Sequence, residues 1–158
     1  MNASNDTAEV GRIGNDARAL PPAQPAVPAR AAILIDELRL ERHPEGGWYR
    51  QTFRSDANVM RGADERSALT AIYFLLVRGE RSQWHRVASD EIWTYLEGSA
   101  ITLWQSERSD LLAPLAEGGT PFIVVPRGEW QSAETMGDYT LVACFVAPGF
   151  EFADFEMR

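Results

Sequence analysis

From Leu40 onward the chain is a succession of short runs of β-branched and aromatic residues cut by pairs of Gly and Pro. The runs cover 48–54, 69–77, 83–87, 91–97, 101–105, 122–125 and 140–147. The breaks are Pro44-Glu45-Gly46-Gly47, Gly118-Gly119, Pro126-Arg127-Gly128 and Pro148-Gly149. Branched and aromatic side chains fit a pleated, half-buried surface, and Gly and Pro close tight turns. Many short strands with frequent turns predict an all-β sandwich or barrel. In 149–156 Phe alternates with acids, which predicts a closing strand with one buried face.

Ahead of the strands, 31–38 reads as a short helix, with Leu34, Ile35 and Leu38 at helical spacing as its buried stripe. Residues 1–29 read as a disordered extension, polar at first and then rich in Pro, too poor in apolar surface to offset ordering. Residues 30–158 are then one domain, since a chain of 158 residues can bury one substantial core. A net charge of -8 argues against nucleic acid and anionic membrane surfaces, which need a basic face. No apolar run is long enough to span a bilayer, and none opens the chain as a secretory signal does. Cys144 is the single cysteine, so no internal disulfide framework exists. The expected address is cytoplasmic. Lys is absent, which removes Schiff-base chemistry on a lysine.

The densest polar pattern lies between Gly79 and Gly98, where His85 and Glu91 sit on consecutive strand-like runs. Alternation puts His85 and Val87 on one face, and Glu91, Trp93 and Tyr95 on one face of the next run. The spacing resembles the first motif of the cupin superfamily, G-x5-H-x-H-x3-4-E-x6-G, with Val87 at the second His. Pro126, Gly128 and Gln131 resemble the second motif, with Gln131 at the third His ligand and Thr135 at the Asn. Arg42-His43-Pro44-Glu45-Gly46-Gly47-Trp48-Tyr49-Arg50, Trp84-His85-Arg86, Ser89-Asp90-Glu91-Ile92-Trp93, Trp130-Gln131 and Val146-Ala147-Pro148-Gly149-Phe150 are similar to the cupin subfamily known as domain of unknown function 985. One departure is Thr94, where the subfamily pattern has His. The resemblance implies a cupin double-stranded β-helix, or jelly-roll barrel, with a short N-terminal helix. It also implies a pocket at the barrel mouth and a homodimer. Gly47-x-Tyr49-x-Gln51-x-Phe53 is similar to a strand of dTDP-sugar 3,5-epimerases, metal-free cupins that use a His base and a Tyr acid.

If the shared face is the interior, as the cupin resemblance implies, His85 and Glu91 can form a hydrogen-bonded pair in which Glu91 raises the His85 pKa and fixes its tautomer. That suits general-base work, with Tyr95 as an acid partner. The competing reading is a structural His–Glu pair in a cavity shaped like a lost metal site. Trp93, Gln131 and Tyr49 are candidates for lining the pocket. Arg50 and Arg54 share a strand face; they are either solvated or hold an anionic ligand at the mouth. No cofactor is expected. His85, Glu91 and Gln131 form at most a weak divalent-metal set, because Gln is a poor ligand and Val87 offers none; His43 lies in the preceding loop. The resulting expectation is a protein that binds a small polar or anionic molecule, with isomerisation or epimerisation by proton transfer as its chemistry. Binding without catalysis is the alternative, and a metal-dependent enzyme the second alternative.

Overall fold

The computed structural model describes residues 26–158. Helix α1 (Ala29–Glu37) precedes strands β1 (Glu41–Arg42), β2 (Trp48–Arg54), β3 (Asn58–Arg61), β4 (Asp64–Ser67), β5 (Thr70–Val77), β6 (Arg81–Arg86) and β7 (Asp90–Gly98). Then follow β8 (Ile101–Gln105), β9 (Arg108–Leu112), β10 (Phe122–Val125), β11 (Gln131–Thr135), β12 (Tyr139–Ala147) and β13 (Glu156–Met157). Short 3-10 turns occupy Leu115–Glu117 and Phe152–Asp154.

The strands form two sheets in a jelly roll. One has the order β1-β2-β5-β12-β7-β10, the other β13-β6-β11-β8-β9, and β3-β4 is a separate hairpin. Pairings between these strands are antiparallel. The core lies between the sheets. Phe74, Leu76, Trp93, Val142 and Cys144 enter it from the first sheet, and Ile101, Leu103 and Ala133 from the second.

Strand β5 is apolar on both faces for a physical reason. Phe74 and Leu76 point between the sheets, while Leu75 and Val77 point outward under Ala31 and Leu34 of α1. A strand covered on both sides reads as a continuous hydrophobic run. The helix itself starts after Pro28, two residues earlier than the periodicity predicts. Ile35 and Leu38 are only partly buried against the same outer cluster. Of the extension expected over 1–29, residues 1–25 lie outside the described residues.

The closing strand expected at 149–156 is corrected. Phe152–Asp154 is a 3-10 turn, and only Glu156–Met157 pairs, with Arg86 and His85. Arginines hold this segment down: Arg54 contacts Glu151 at 2.8 Å, Arg61 contacts Asp154 at 2.9 Å and Arg86 contacts Glu156 at 2.7 Å. Trp84, Trp104 and Trp130 are partly exposed, and Arg158, Arg81 and Arg86 stack on them. Among the described residues no helix is long and apolar enough to cross a membrane.

Candidate functional site

A cavity of about 230 Å³ opens between the two sheets. Its walls include Tyr49 and Gln51 from β2, Ile72 and Phe74 from β5, His85 from β6, Glu91 and Trp93 from β7, and Cys144 and Val146 from β12. Phe150 and Phe152 close one side, and Glu41 and His43 lie at another. Such a largely apolar hollow with a few convergent polar groups is the usual form of a small-molecule site.

Glu45 reaches this cavity because its turn docks on β6. Gly46 and Gly47 have φ of +104° and +74°, conformations that side chains other than Gly rarely adopt. A Cβ on Gly46 would stand 2.4 Å from the Arg81 carbonyl oxygen. The Gln83 amide donates to the Glu45 carbonyl at 2.8 Å, so the turn is tied to the strand that carries His85. The Glu45 side chain is thereby turned inward and is 5% exposed.

Glu45 Oε2 lies 3.4 Å from both His43 Nδ1 and His85 Nε2. Glu45 Oε1 accepts from the Ser82 hydroxyl at 2.8 Å. His85 Nδ1 lies 2.8 Å from the Gln83 carbonyl oxygen, which can only accept; the proton of neutral His85 is therefore on Nδ1 and its Nε2 carries a lone pair. The Glu45 amide donates to His43 Nδ1 at 3.3 Å, so that nitrogen is also an acceptor. Burial pushes Glu45 up to about 8 and His43 down to about 4. At neutral pH the contacts of Glu45 with the two rings are therefore between uncharged partners, with the carboxyl proton on Oε2. They are not ion pairs.

Glu91 is fixed from behind. Trp93 Nε1 donates to Gln131 Oε1 at 2.9 Å, and Gln131 Nε2 donates to Glu91 Oε2 at 2.6 Å. An indole N–H can only donate, so it sets the amide orientation and hence which end meets Glu91. Burial raises the Glu91 pKa, opposed by His85 and by the Gln131 hydrogen bond.

Several sequence expectations need correction. His85 and Glu91 are not on hydrogen-bonded strands: β6 and β7 belong to different sheets and face each other across the interior. The His85 pKa is lowered, since burial outweighs the raising effect of Glu91, and the Gln83 carbonyl fixes the tautomer. Tyr95 does not line the cavity. It lies further along β7, packed on the core, and its hydroxyl donates to the Gly98 carbonyl at 2.6 Å. Gln131 is buried behind Glu91 rather than in the lining. Arg50 pairs across to Tyr73, on the outer side of the sheet, and Arg54 binds Glu151 and the Phe150 carbonyl. Neither arginine lines the cavity. His85, Glu91, Trp93 and Tyr49 do line it.

Glu45 and the phenylalanines of the C-terminal segment are the residues that sequence reasoning missed. Phe155 packs on both imidazoles, 5.5 Å from the His85 ring and 5.8 Å from that of His43. The one available signal for Glu45 was its paired Gly, which announces a close approach of backbone. Cys144 lines the cavity, but burial and Glu91 hold its thiol pKa well above the usual range, so it is a poor nucleophile.

The cupin fold commonly implies a metal. The side chains at the corresponding positions do not fit one. Val87 offers no donor, and the Gln131 oxygen is taken by Trp93 and its nitrogen by Glu91. Among the described residues no group of three or more His, Cys, Asp or Glu is arranged to hold a metal ion.

Comparison with known proteins agrees with this architecture. Residues 32–158 match the family profile described as Cupin superfamily (DUF985). The structure of a hypothetical protein from Leishmania major is 32% identical, with a TM-score of 0.75 over 81% of this chain and 86% of that one. A Shewanella oneidensis protein is 36% identical, with a TM-score of 0.74 over 81% and 84%. KdgF from a Halomonas species, at 17% identity and a TM-score of 0.53 over 72% and 90%, shares the fold alone. No curated protein matches the sequence. The profile match and the two structures above 30% identity lead to one conclusion: this chain belongs to the cupin superfamily, in its DUF985 family.

Proposed function

We propose that the cavity binds a small polar molecule and that His85 moves a proton on it, in an isomerisation or epimerisation that needs no metal. The observation that carries this reading is the pair of buried groups, His85 Nε2 and Glu45 Oε2, held 3.4 Å apart in the wall of one cavity. Their environments push them in opposite directions, His85 toward the neutral base and Glu45 toward the neutral acid. A pair of titratable groups so separated is suited to acid–base work.

In this reading His85 Nε2 takes a proton from a carbon next to a carbonyl, and the C–H electron pair moves toward the carbonyl oxygen. The Glu45 carboxyl gives its proton to that oxygen. Return of a proton to carbon from imidazolium, with the hydroxyl proton going back to Glu45, completes the exchange. Glu45 thus takes the acid role that sequence reasoning gave to Tyr95. Glu91, oriented by Gln131, faces His85 across the interior and opposes the burial that disfavours the imidazolium.

A second reading, binding without turnover, is favoured by Phe155, which packs on the His85 ring. One experiment separates the two. A panel of small carbonyl, hydroxy and amino compounds is incubated with the protein in D2O, and carbon-bound deuterium is followed by NMR. Catalysis predicts incorporation that falls roughly 100-fold or more in His85→Ala and in Glu45→Gln. Compounds that raise the melting temperature yet gain no deuterium would sink the catalytic reading in favour of binding alone.

A further inference from the structure

We propose that the molecule held in this cavity carries a positive charge, an amine or ammonium group set among the carboxyls of Glu41, Glu45 and Glu91 and facing the rings of Tyr49, Trp93 and Phe152. The inference rests on the reading that this cavity is the ligand site.

The lining contains three carboxyl side chains and, among the described residues, no arginine. Arginines do stand near the C-terminal wall, but each turns its guanidinium to an acid of that wall. Arg54 goes to Glu151, Arg61 to Asp154 and Arg86 to Glu156. An anionic guest would therefore meet acids and π faces without a counter-charge. An aromatic face is negative at its centre and attracts a cation, more strongly when water is excluded. Burial favours the protonated forms of Glu45 and Glu91. An ammonium group beside Glu91 reverses that balance there, because a nearby opposite charge favours the ionised carboxyl, while Glu45 keeps the proton its acid role requires. A neutral guest gains nothing of the kind. Glu41, exposed at the opening, extends the negative surface toward solvent.

The test uses three probes of similar size and shape on the whole protein at constant ionic strength: tetramethylammonium, tert-butanol and pivalate. Melting temperature and tryptophan fluorescence, to which Trp93 of the lining contributes, are read as each is titrated. Tetramethylammonium is expected to raise the melting temperature by roughly 3 °C or more at tenfold its Kd. Pivalate is expected to have no effect, and tert-butanol a smaller one. Glu41→Gln, at an exposed position, is expected to weaken tetramethylammonium several-fold without altering the response to tert-butanol. Equal or greater stabilisation by tert-butanol or pivalate would overturn the charge preference and leave the cavity as a ligand site. No response to any probe in either readout would overturn the cavity reading along with it. If Glu41→Gln does not fold, the order of the three probes on the unaltered protein still decides.

Discussion

Glu45 Oε2 stands 3.4 Å from His85 Nε2, a contact between a turn and a strand of the second sheet. Both groups are buried, so each avoids charge at neutral pH.

This pair dictates how stability depends on pH. Glu45 is raised to about 8, so between about 4.5 and 8 the folded state binds the extra proton and stability falls as pH rises. His43 is lowered to about 4, so between about 4 and 6.5 the unfolded state binds the extra proton and stability rises with pH. The two slopes oppose each other between pH 4.5 and 6.5, and His85 and Glu91 act in the same senses as His43 and Glu45. Chemical denaturation across pH 4–8 should show a plateau centred near pH 5.5. Above pH 6.5 Glu45 should lower stability by about 1 kcal/mol per pH unit. Glu45→Gln should flatten that alkaline limb, and an unchanged limb would show that Glu45 is not the group responsible.

Gln131 is fully buried and satisfies Trp93 at one end and Glu91 at the other. Gln131→Ala leaves both without that partner. The expected loss is about 2–5 kcal/mol in urea denaturation, since each unsatisfied buried group costs about 1–3 kcal/mol. Gln131→Leu should cost a similar amount, because it restores volume but no hydrogen bond. A loss below 0.5 kcal/mol for both would mean that the bridge contributes nothing.

Gly46 and Gly128 both have positive φ, but their surroundings differ. A Cβ on Gly46 meets the Arg81 carbonyl oxygen, whereas a Cβ on Gly128 meets nothing within 4 Å. Gly128→Ala should therefore cost only the backbone preference, about 1–2 kcal/mol. Gly46→Ala should cost more, and it should also shift Glu45 out of its buried position, removing the Glu45 part of the alkaline limb described above. Equal costs, with that limb retained, would mean the turn relaxes freely.

Metal addition provides a further check. Dialysis against a chelator should leave the melting temperature unchanged, and iron, manganese, nickel or zinc should not raise it. A ligand that binds the folded state tightly must raise the melting temperature. A rise of several degrees that disappears in His85→Ala would show a metal bound through an unforeseen ligand set.

Much of the fold was legible in the chain because a half-buried strand leaves a pattern of period two and a turn leaves Gly or Pro. The runs 48–54, 101–105 and 122–125 became β2, β8 and β10 with the same bounds. The β3–β4 hairpin was not legible, since Asn58–Arg61 and Asp64–Ser67 are mostly polar and bury little. The end of the chain misled for a related reason. Phe150 and Phe152 stand two apart as in a strand, but the step to Phe155 is three. Phe152 opens a 3-10 turn, Phe155 follows it, and both pack on the imidazoles.

The sequence by itself determined an all-β chain of short strands and the shared face of Glu91 and Trp93, because alternation along one strand is a local property; that this face and that of His85 look inward was implied by the cupin resemblance. It also determined what is missing from a cupin metal site, since Val87 and Gln131 are read directly. Only the tertiary structure decided what His85 meets. Sheet pairing sends β6 and β7 into different sheets, and the docking of a Gly-Gly turn against Arg81 carries a turn carboxylate into the interior. Contacts between residues so distant along the chain depend on how sheets stack and turns pack, and no periodicity encodes them.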